Sequence, residues 1–470
     1  MNEPLLLTAF RTINAAILVY FLLLSLSYVL FIILSLAGFF RYQNLVTHVQ
    51  FKEMFHLPSV KPVSLIAPAF NEAGTIIESV QSLLSLEYPV YEVIVVNDGS
   101  TDHTLDLLIR HFRLTRSQRI FRKVLETRPI RGIYVSPSQP KLVVVDKENG
   151  RKADALNAGL NVSRYPLFCA IDSDSLLEKD ALLKIARPFL EDPGRTVAAG
   201  GIIRLINGCR IEYGQVTQVG LPLKPLILFQ TVEYFRAFLG GRIGLNAMRS
   251  LLIISGAFGF FRKDVVLKCG GYRTRTVGED MDLTIRMHKY LKEKKIPYRL
   301  AFIPDPICWT EGPESLKFLS RQRKRWQRGS IEALFHNRRM IFNPRYGIVG
   351  LFAVPFYLIF ETLGPLIEIM GYVIFLYFLL SGRINHPFVL LFFLVAVVFG
   401  ITLSLFSVLI EEYSPHRFRS VKDVFLLILF AFLENLGYRQ YMAFVRAMGF
   451  IDMIRGKKEW GRMERKGFGR

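Results

Sequence analysis

Cysteine is scarce. Cys169, Cys209, Cys269 and Cys308 are the only 4 in 470 residues, and they are widely spaced without a C-x-x-C pair. This argues against a disulfide framework or a thiolate metal centre and for small, reduced core residues. Acidic side chains are in deficit, 39 Asp+Glu against 60 Lys+Arg, so the formal net charge is +21. Such a cation excess suits nucleic acid, anionic lipid or a phosphorylated ligand. No recognisable nucleic-acid motif accompanies it, which leaves a membrane surface and phosphate. Internal repeats are missing too, and residues 15–39 carry no charge at all.

That uncharged run exceeds the roughly 20 residues needed to span a hydrocarbon core at 1.5 Å per residue. It is too long for a signal peptide and lacks a small-residue cleavage site. Arg41, Lys52 and Lys61 follow it, so the downstream side is expected to be cytoplasmic. Further on, residues 346–380 are apolar apart from Glu361 and Glu368, and Pro355 and Pro365 predict a break or tilt. The two glutamates either line a polar path through protein or sit solvated at the interface. Residues 381–387 read as an external turn and 388–410 as another span. Residues 424–433 and 441–454 form either a membrane hairpin or an interfacial pair. The basic tail after Gly456 is expected to stay cytoplasmic.

The expected organisation is therefore an N-terminal transmembrane helix (1–45) and a cytosolic domain with interfacial helices (60–340). C-terminal transmembrane or interfacial helices (346–455) and the basic tail (456–470) follow. Within the middle region, 63–68, 93–97, 142–146 and 167–171 are near-continuous Val/Ile/Leu runs bounded by turn residues, the pattern of buried parallel strands. Helical patterns over 74–86 and 104–112 connect them. This is an α/β sheet, with ligands expected at the carboxyl ends of the strands. Residues 113–140 look like a basic insertion forming a surface loop that touches phospholipid headgroups.

Six motifs sit at or beyond those strand ends in a fixed order. They are Pro68-Ala69-Phe70-Asn71-Glu72, Asn97-Asp98-Gly99-Ser100, Gly150-Arg151-Lys152-Ala153, Asp172-Ser173-Asp174, Gly278-Glu279-Asp280 and Gln322-Arg323-Lys324-Arg325-Trp326. Phe70 can stack on a base, and Glu72 and Asp98 can accept hydrogen bonds from it or from a ribose. In isolation, Asp98 also fits a plain Asx turn. Lys152 starts a helical stretch that offers a cation and backbone donors to phosphate oxygens, with Asn157 one turn on. Alternation turns Asp172 and Asp174 to one side of an extended chain, where two hard oxygen ligands suit Mg²⁺ or Mn²⁺ shared with phosphates. Glu279, Asp280 and Asp282 form an acidic helix start that could merely favour the dipole or supply a base. Gln322, Arg325 and Trp326 at i, i+3 and i+4 share a helix face, while Arg321, Arg323, Lys324 and Arg328 suit a membrane surface. Gly256, in Ser255-Gly256-Ala257-Phe258-Gly259, belongs either to a ligand cleft or to tight packing.

From about Lys61 onward, these motifs resemble the membrane-embedded inverting glycosyltransferases of family 2, which include cellulose, hyaluronan and poly-N-acetylglucosamine synthases. The resemblance implies a GT-A type, Rossmann-like domain inserted between N-terminal and C-terminal transmembrane helices in the cell membrane. Phe70, Glu72, Asp98, Lys152, Asp172, Gln322 and Arg325 would then hold a UDP-sugar, with Asp174 and Asp172 on the metal. Asp280 would be the catalytic base, with Glu279 and Asp282 as fallbacks. Trp326 and Gly256 would meet the acceptor. The family carries Thr-Glu-Asp where this chain has Gly278-Glu279-Asp280. The implied partners are a UDP-sugar (UDP-GlcNAc or UDP-glucose), a growing glycan or lipid acceptor and membrane lipids, with no nucleic acid. Gln-x-x-Arg-Trp with several spans implies processive polymerisation, with Glu361 and Glu368 along the polymer path. The alternative is one-step transfer to a lipid or lipid-linked acceptor.

Overall fold

The computed structural model describes residues 3–48, 60–212, 214–382, 390, 397–412 and 420–456. Much of the expected turn at 381–387, part of the span at 388–410 and the tail beyond Gly456 lie outside the described residues.

The strands are β1 (Val63–Ala69), β2 (Tyr91–Asp98), β3 (Thr115–Ser117), β4 (Ile130–Val135), β5 (Leu142–Lys147) and β6 (Leu167–Ile171). They continue with β7 (Leu176–Leu177), β8 (Thr196–Leu205), a separate hairpin of β9 (Arg210–Glu212) and β10 (Gln215–Gln218), β11 (Phe258–Arg262) and β12 (Arg299–Thr310). Ten of them form one sheet in the order β3-β4-β5-β2-β1-β6-β11-β8-β12-β7. At its centre β5, β2, β1 and β6 are parallel, as their unbroken apolar sequences require. Every residue of β2, β5 and β6 is buried. β11 runs antiparallel to β6, with Phe258 opposite Ile171. This mixed pairing has a functional consequence. The carboxyl ends of β1, β2, β5 and β6 and the amino end of β11 all open on the same edge of the sheet.

Helices Ile76–Leu84 and Thr104–Phe112 occupy the expected positions. The 113–140 insertion is not a plain loop, contrary to expectation. β4 pairs antiparallel with the free edge of β5, and β3 with β4. Backbone pairing to an open edge needs no apolar periodicity, so the sequence pattern did not reveal it. Leu125 within the insertion is buried, and its N–H and C=O are both bonded by the Asn161 side chain.

Helix Glu3–His48 includes an apolar stretch, Ala15–Leu45, that is long enough to cross a membrane. Val349–Thr362 and Gly364–Leu380 pass the same test only together, and a 42° bend separates them. The bend falls beside Pro365, the second residue of the later helix, one of the two expected break points. Glu361 is not simply solvated, since Tyr28 donates to its Oε1 (2.8 Å) and Arg446 approaches to 3.8 Å. Helix Arg439–Ile454 follows a kink at Leu436 and Gly437. It lies against helix Leu316–His336, with Lys324–Asp452 at 3.7 Å, Ser320–Tyr441 at 2.8 Å and Arg446–Gln327 at 2.9 Å. The four cysteines are free, with Cys169 and Cys308 buried.

Candidate active site

Lys152 is the hub. Gly150 precedes helix Arg151–Val162, and the first turn of that helix places Lys152 at the sheet edge. Its Nζ lies 2.5 Å from Asp172 Oδ1 and 3.5 Å from Glu279 Oε1, and it donates to the Gly256 carbonyl at 3.0 Å. The Gly256 N–H donates to Asp280 Oδ2 at 2.9 Å. One ammonium therefore gathers three motifs from the end of β6, the approach to β11 and the start of helix Glu279–Glu293. Burial by itself would lower the Lys152 pKa, but Asp172 and then Glu279 outweigh it and hold the group above its ordinary range. Glu279 is buried, which pushes its carboxyl up while Lys152 pulls it down. A Cβ on Gly256 would sit 3.0 Å from Lys152 Nζ and 3.3 Å from Asp280 Oδ2, so a larger residue here would press on both side chains.

Asp280 is half-buried, and its Oδ1 accepts from Met281 N at 2.7 Å. Asp282, the fallback base, is fully buried and engaged elsewhere. Arg273 and Arg286 hold it at 2.8 and 2.7 Å, and Asn337 donates to it. A carboxylate so enclosed braces the helix and is unavailable to an acceptor hydroxyl. Asn157 is likewise structural, bonding Tyr272 O and Tyr272 N, both at 2.8 Å.

Asp172 is a third exposed. Burial raises the Cys308 thiol pKa, and the charges of Asp172 and Asp174 add to the rise. Among the described residues no cluster of three or more His, Cys, Asp or Glu is poised to hold a metal. The donor set is two carboxylates, which fits a hard cation that completes its shell with phosphate oxygens and water.

Along the same sheet edge, Phe70 is 47% exposed at the end of β1. Asn71 follows with φ of 58°, and its Oδ1 accepts from Thr101 N at 2.8 Å. Glu72 accepts from Thr75 Oγ1 at 3.2 Å. Asp98, at the end of β2, is buried, and its Oδ1 accepts from Lys147 Nζ (2.6 Å) and Gly150 N (3.0 Å). Burial pushes this carboxyl up, against the pull of Lys147. Sequence reading missed Lys147 and its second partner Asp154. A lone lysine at a strand end carries no signal until the sheet register sets it opposite Asp98.

Gln322, Arg325 and Trp326 lie on helix Leu316–His336, capped by Ser315. Their environments differ: Gln322 is buried, Arg325 half-buried and Trp326 exposed at 42%. The Gln322 Oε1 is buried without a hydrogen-bond partner. Two of the expected membrane-face cations turn inward instead. Arg323 pairs with Glu233 at 2.9 Å and lies 4.2 Å from the Trp326 ring, and Arg328 is buried beside Glu332. Glu332 also accepts from Thr276 Oγ1 and Val277 N, both at 2.9 Å. This ties the Trp326 helix to the segment leading into Asp280. There the chains touch glycine to glycine, and a Cβ on Gly278 would lie 2.7 Å from the Gly329 carbonyl carbon. A side chain at position 278 would therefore collide with the Gly329 backbone.

Residues 64–270 match the family model described as Glycosyl transferase family 2, and residues 271–436 match the one described as Chitin synthase. Residues 64–270 therefore carry a family 2 glycosyltransferase domain. A poly-beta-1,6-N-acetyl-D-glucosamine synthase of Staphylococcus epidermidis is 26% identical over 279 residues, 59% of this chain and 57% of the relative. The Staphylococcus aureus (strain MSSA476) protein of the same name is 26% identical over 287 residues, 61% of this chain and 58% of the relative. The matched region therefore spans less than two thirds of these relatives. Among solved structures, a Pyrobaculum calidifontis mannosyltransferase in complex with GDP-Man and Mn²⁺ superposes with a TM-score of 0.50. It is 18% identical, covers 87% of this chain and 99% of its own, and supports the GT-A-like mixed sheet.

Proposed function

We propose that this chain is a membrane-embedded, processive, inverting β-glycosyltransferase that polymerises a UDP-sugar, UDP-GlcNAc or UDP-glucose, into a polysaccharide. The observation that carries the reading is the Lys152 hub, which sets Asp172 of Asp-x-Asp and Glu279 of Gly-Glu-Asp around one cation, with Asp280 joined to it through Gly256. The relatives' names favour N-acetylglucosamine as the sugar.

In this reading Phe70 stacks on the uracil ring, and Glu72 and Asp98 bond the nucleoside. Lys152 and Arg325 hold the diphosphate and balance its charge as it leaves. Asp172 and Asp174 would hold Mg²⁺ or Mn²⁺, which supplies further neutralisation of that charge when bound. Asp280 takes the proton from the attacking hydroxyl, its carboxylate aimed by the Gly256 N–H. A single base with no nucleophile gives inversion. The unpaired Gln322 Oε1 accepts a hydroxyl of the donor, and the open face of Trp326 receives the terminal sugar of the acceptor. Gly256 lines the acceptor side. Residues 1–45 anchor the catalytic domain (60–340) on the cytoplasmic face of the cell membrane. Residues 346–455 complete the membrane-associated part, with the basic tail 456–470 cytoplasmic.

The test incubates membranes containing the protein with each radiolabelled UDP-sugar and divalent metal, followed by product sizing and digestion with linkage-specific hydrolases. Long polymer with UDP release is the expected result. A single added sugar would replace processive synthesis by one-step transfer to a lipid or lipid-linked acceptor. Absence of UDP release with every donor would refute the enzymatic reading.

A further inference from the structure

The buried ammonium of Lys147 is unused by the mechanism above. It is fully buried, and its three donors are all spent: on Asp98 Oδ1 (2.6 Å), Asp154 Oδ1 (2.6 Å) and the Glu148 carbonyl (2.5 Å). Each partner belongs to a different part of the site. Asp98 ends β2 and is the register partner of Lys147 at the end of β5. Asp154 stands on the first turns of helix Arg151–Val162, two residues beyond Lys152, and also accepts from Arg128 N of the 113–140 insertion at 3.2 Å. Asn149 donates to the Asp98 carbonyl at 2.7 Å, and Gly150 N donates to Asp98 Oδ1 at 3.0 Å. The turn between β5 and the helix is thus wrapped around Asp98.

A lysine buried merely to brace a fold is more cheaply replaced by an apolar side chain, because two carboxylates and an ammonium must all be desolvated. The arrangement makes sense when one carboxylate has to be held ionised, in one plane, for a ligand. We propose that Lys147 is a positioning residue for the donor nucleotide. It fixes the Asp98 carboxylate that meets the nucleoside and ties it to the helix whose Lys152 meets the diphosphate. Nucleoside and diphosphate seats are then set by one buried cation, and UDP affinity depends on a residue that never touches UDP. The proposal rests on the donor reading of Asp98.

The test measures UDP binding by calorimetry, donor KM and kcat, and Tm on the full-length membrane protein. Lys147→Met is expected to weaken UDP binding and raise donor KM by about 10-fold or more, the worth of a buried hydrogen bond to a charged group. The kcat at saturating donor should stay within about 3-fold, because Asp280 and Gly256 are untouched. Asp154→Asn keeps the Lys147–Asp98 bond and loosens only the tie to helix Arg151–Val162, so it should lower Tm and weaken UDP binding less than Lys147→Met does. A bracing role alone predicts that both variants lower Tm and neither alters UDP affinity, and that result overturns the proposal. Should Lys147→Met fail to fold, Lys147→Met/Asp154→Asn removes the second uncompensated charge and carries the same readout. Asp98→Asn separates the two layers of inference. Wild-type UDP affinity in Asp98→Asn sinks the donor reading at that residue and the proposal with it. Weakened binding there, with Lys147→Met at wild-type affinity, sinks the proposal alone.

Discussion

Replacing Lys152 by methionine keeps the length of the side chain and removes the charge that holds the site together. At an effective dielectric of about 20, the 2.5 Å contact with Asp172 corresponds to a gross attraction of about 7 kcal/mol. The 3.5 Å contact with Glu279 corresponds to about 5 kcal/mol. Desolvation cancels most of this, and removing one member of a buried pair typically costs about 3–5 kcal/mol. Asp172 is 32% exposed and can rehydrate, so the lower end, about 3 kcal/mol, is expected. Activity should fall further than stability implies, by about 10²- to 10³-fold in kcat, because in the proposed reading the variant also lacks a cation for the leaving diphosphate. The pH dependence follows from Glu279, whose carboxyl is already raised by burial. Without Lys152 it rises further. A carboxyl whose folded pKa exceeds its unfolded value binds more protons in the folded state, so stability falls as pH rises through that range. The Tm gap between wild type and Lys152→Met should therefore widen from pH 5 to pH 8 and narrow toward acid. A gap independent of pH, or UDP release within about threefold of wild type, would refute the hub argument.

Asp280→Asn should abolish transfer, by about 10²- to 10⁴-fold or more, while UDP binding by calorimetry survives; retained turnover with Glu279→Gln inactive would move the base to Glu279. Asp174→Asn should weaken metal-dependent donor binding, and chelator should abolish activity until Mg²⁺ or Mn²⁺ is restored; full activity in excess chelator would rule out a metal role. Trp326→Ala should leave donor binding intact and stop chain elongation, read as free sugar in place of polymer on a sizing column, whereas normal polymer would remove the ring from the acceptor site. Gly278→Thr, although it restores the family pattern, should destabilise by about 1–3 kcal/mol and lower activity, because its Cβ meets the Gly329 backbone. A thermal melt matching wild type would show that the two helices part easily.

The primary sequence was sufficient for the parallel strands at the centre of the sheet. Four apolar runs bounded by turn residues read as buried strands, and β6 has the expected bounds of Leu167–Ile171. The acidic and basic motifs at their ends follow from parallel pairing, which sends every carboxyl terminus to one edge. Residues 15–39 declared a membrane-length helix by composition alone. Other features depend on contacts between segments far apart in the chain, which no local pattern encodes. The β3–β4 extension arises from backbone pairing that is indifferent to side-chain type. Asp282 and Asp280 look alike in sequence, and only packing against Arg273, Arg286 and Asn337 assigns the first to bracing. Arg323 reads as a surface cation until Glu233, 90 positions away, is found beside it. Lys147 acquires a role only from the register that sets it against Asp98. Charges and hydrogen bonds act over a few ångströms of space regardless of sequence distance, so the sequence could list these groups but only the tertiary structure could pair them.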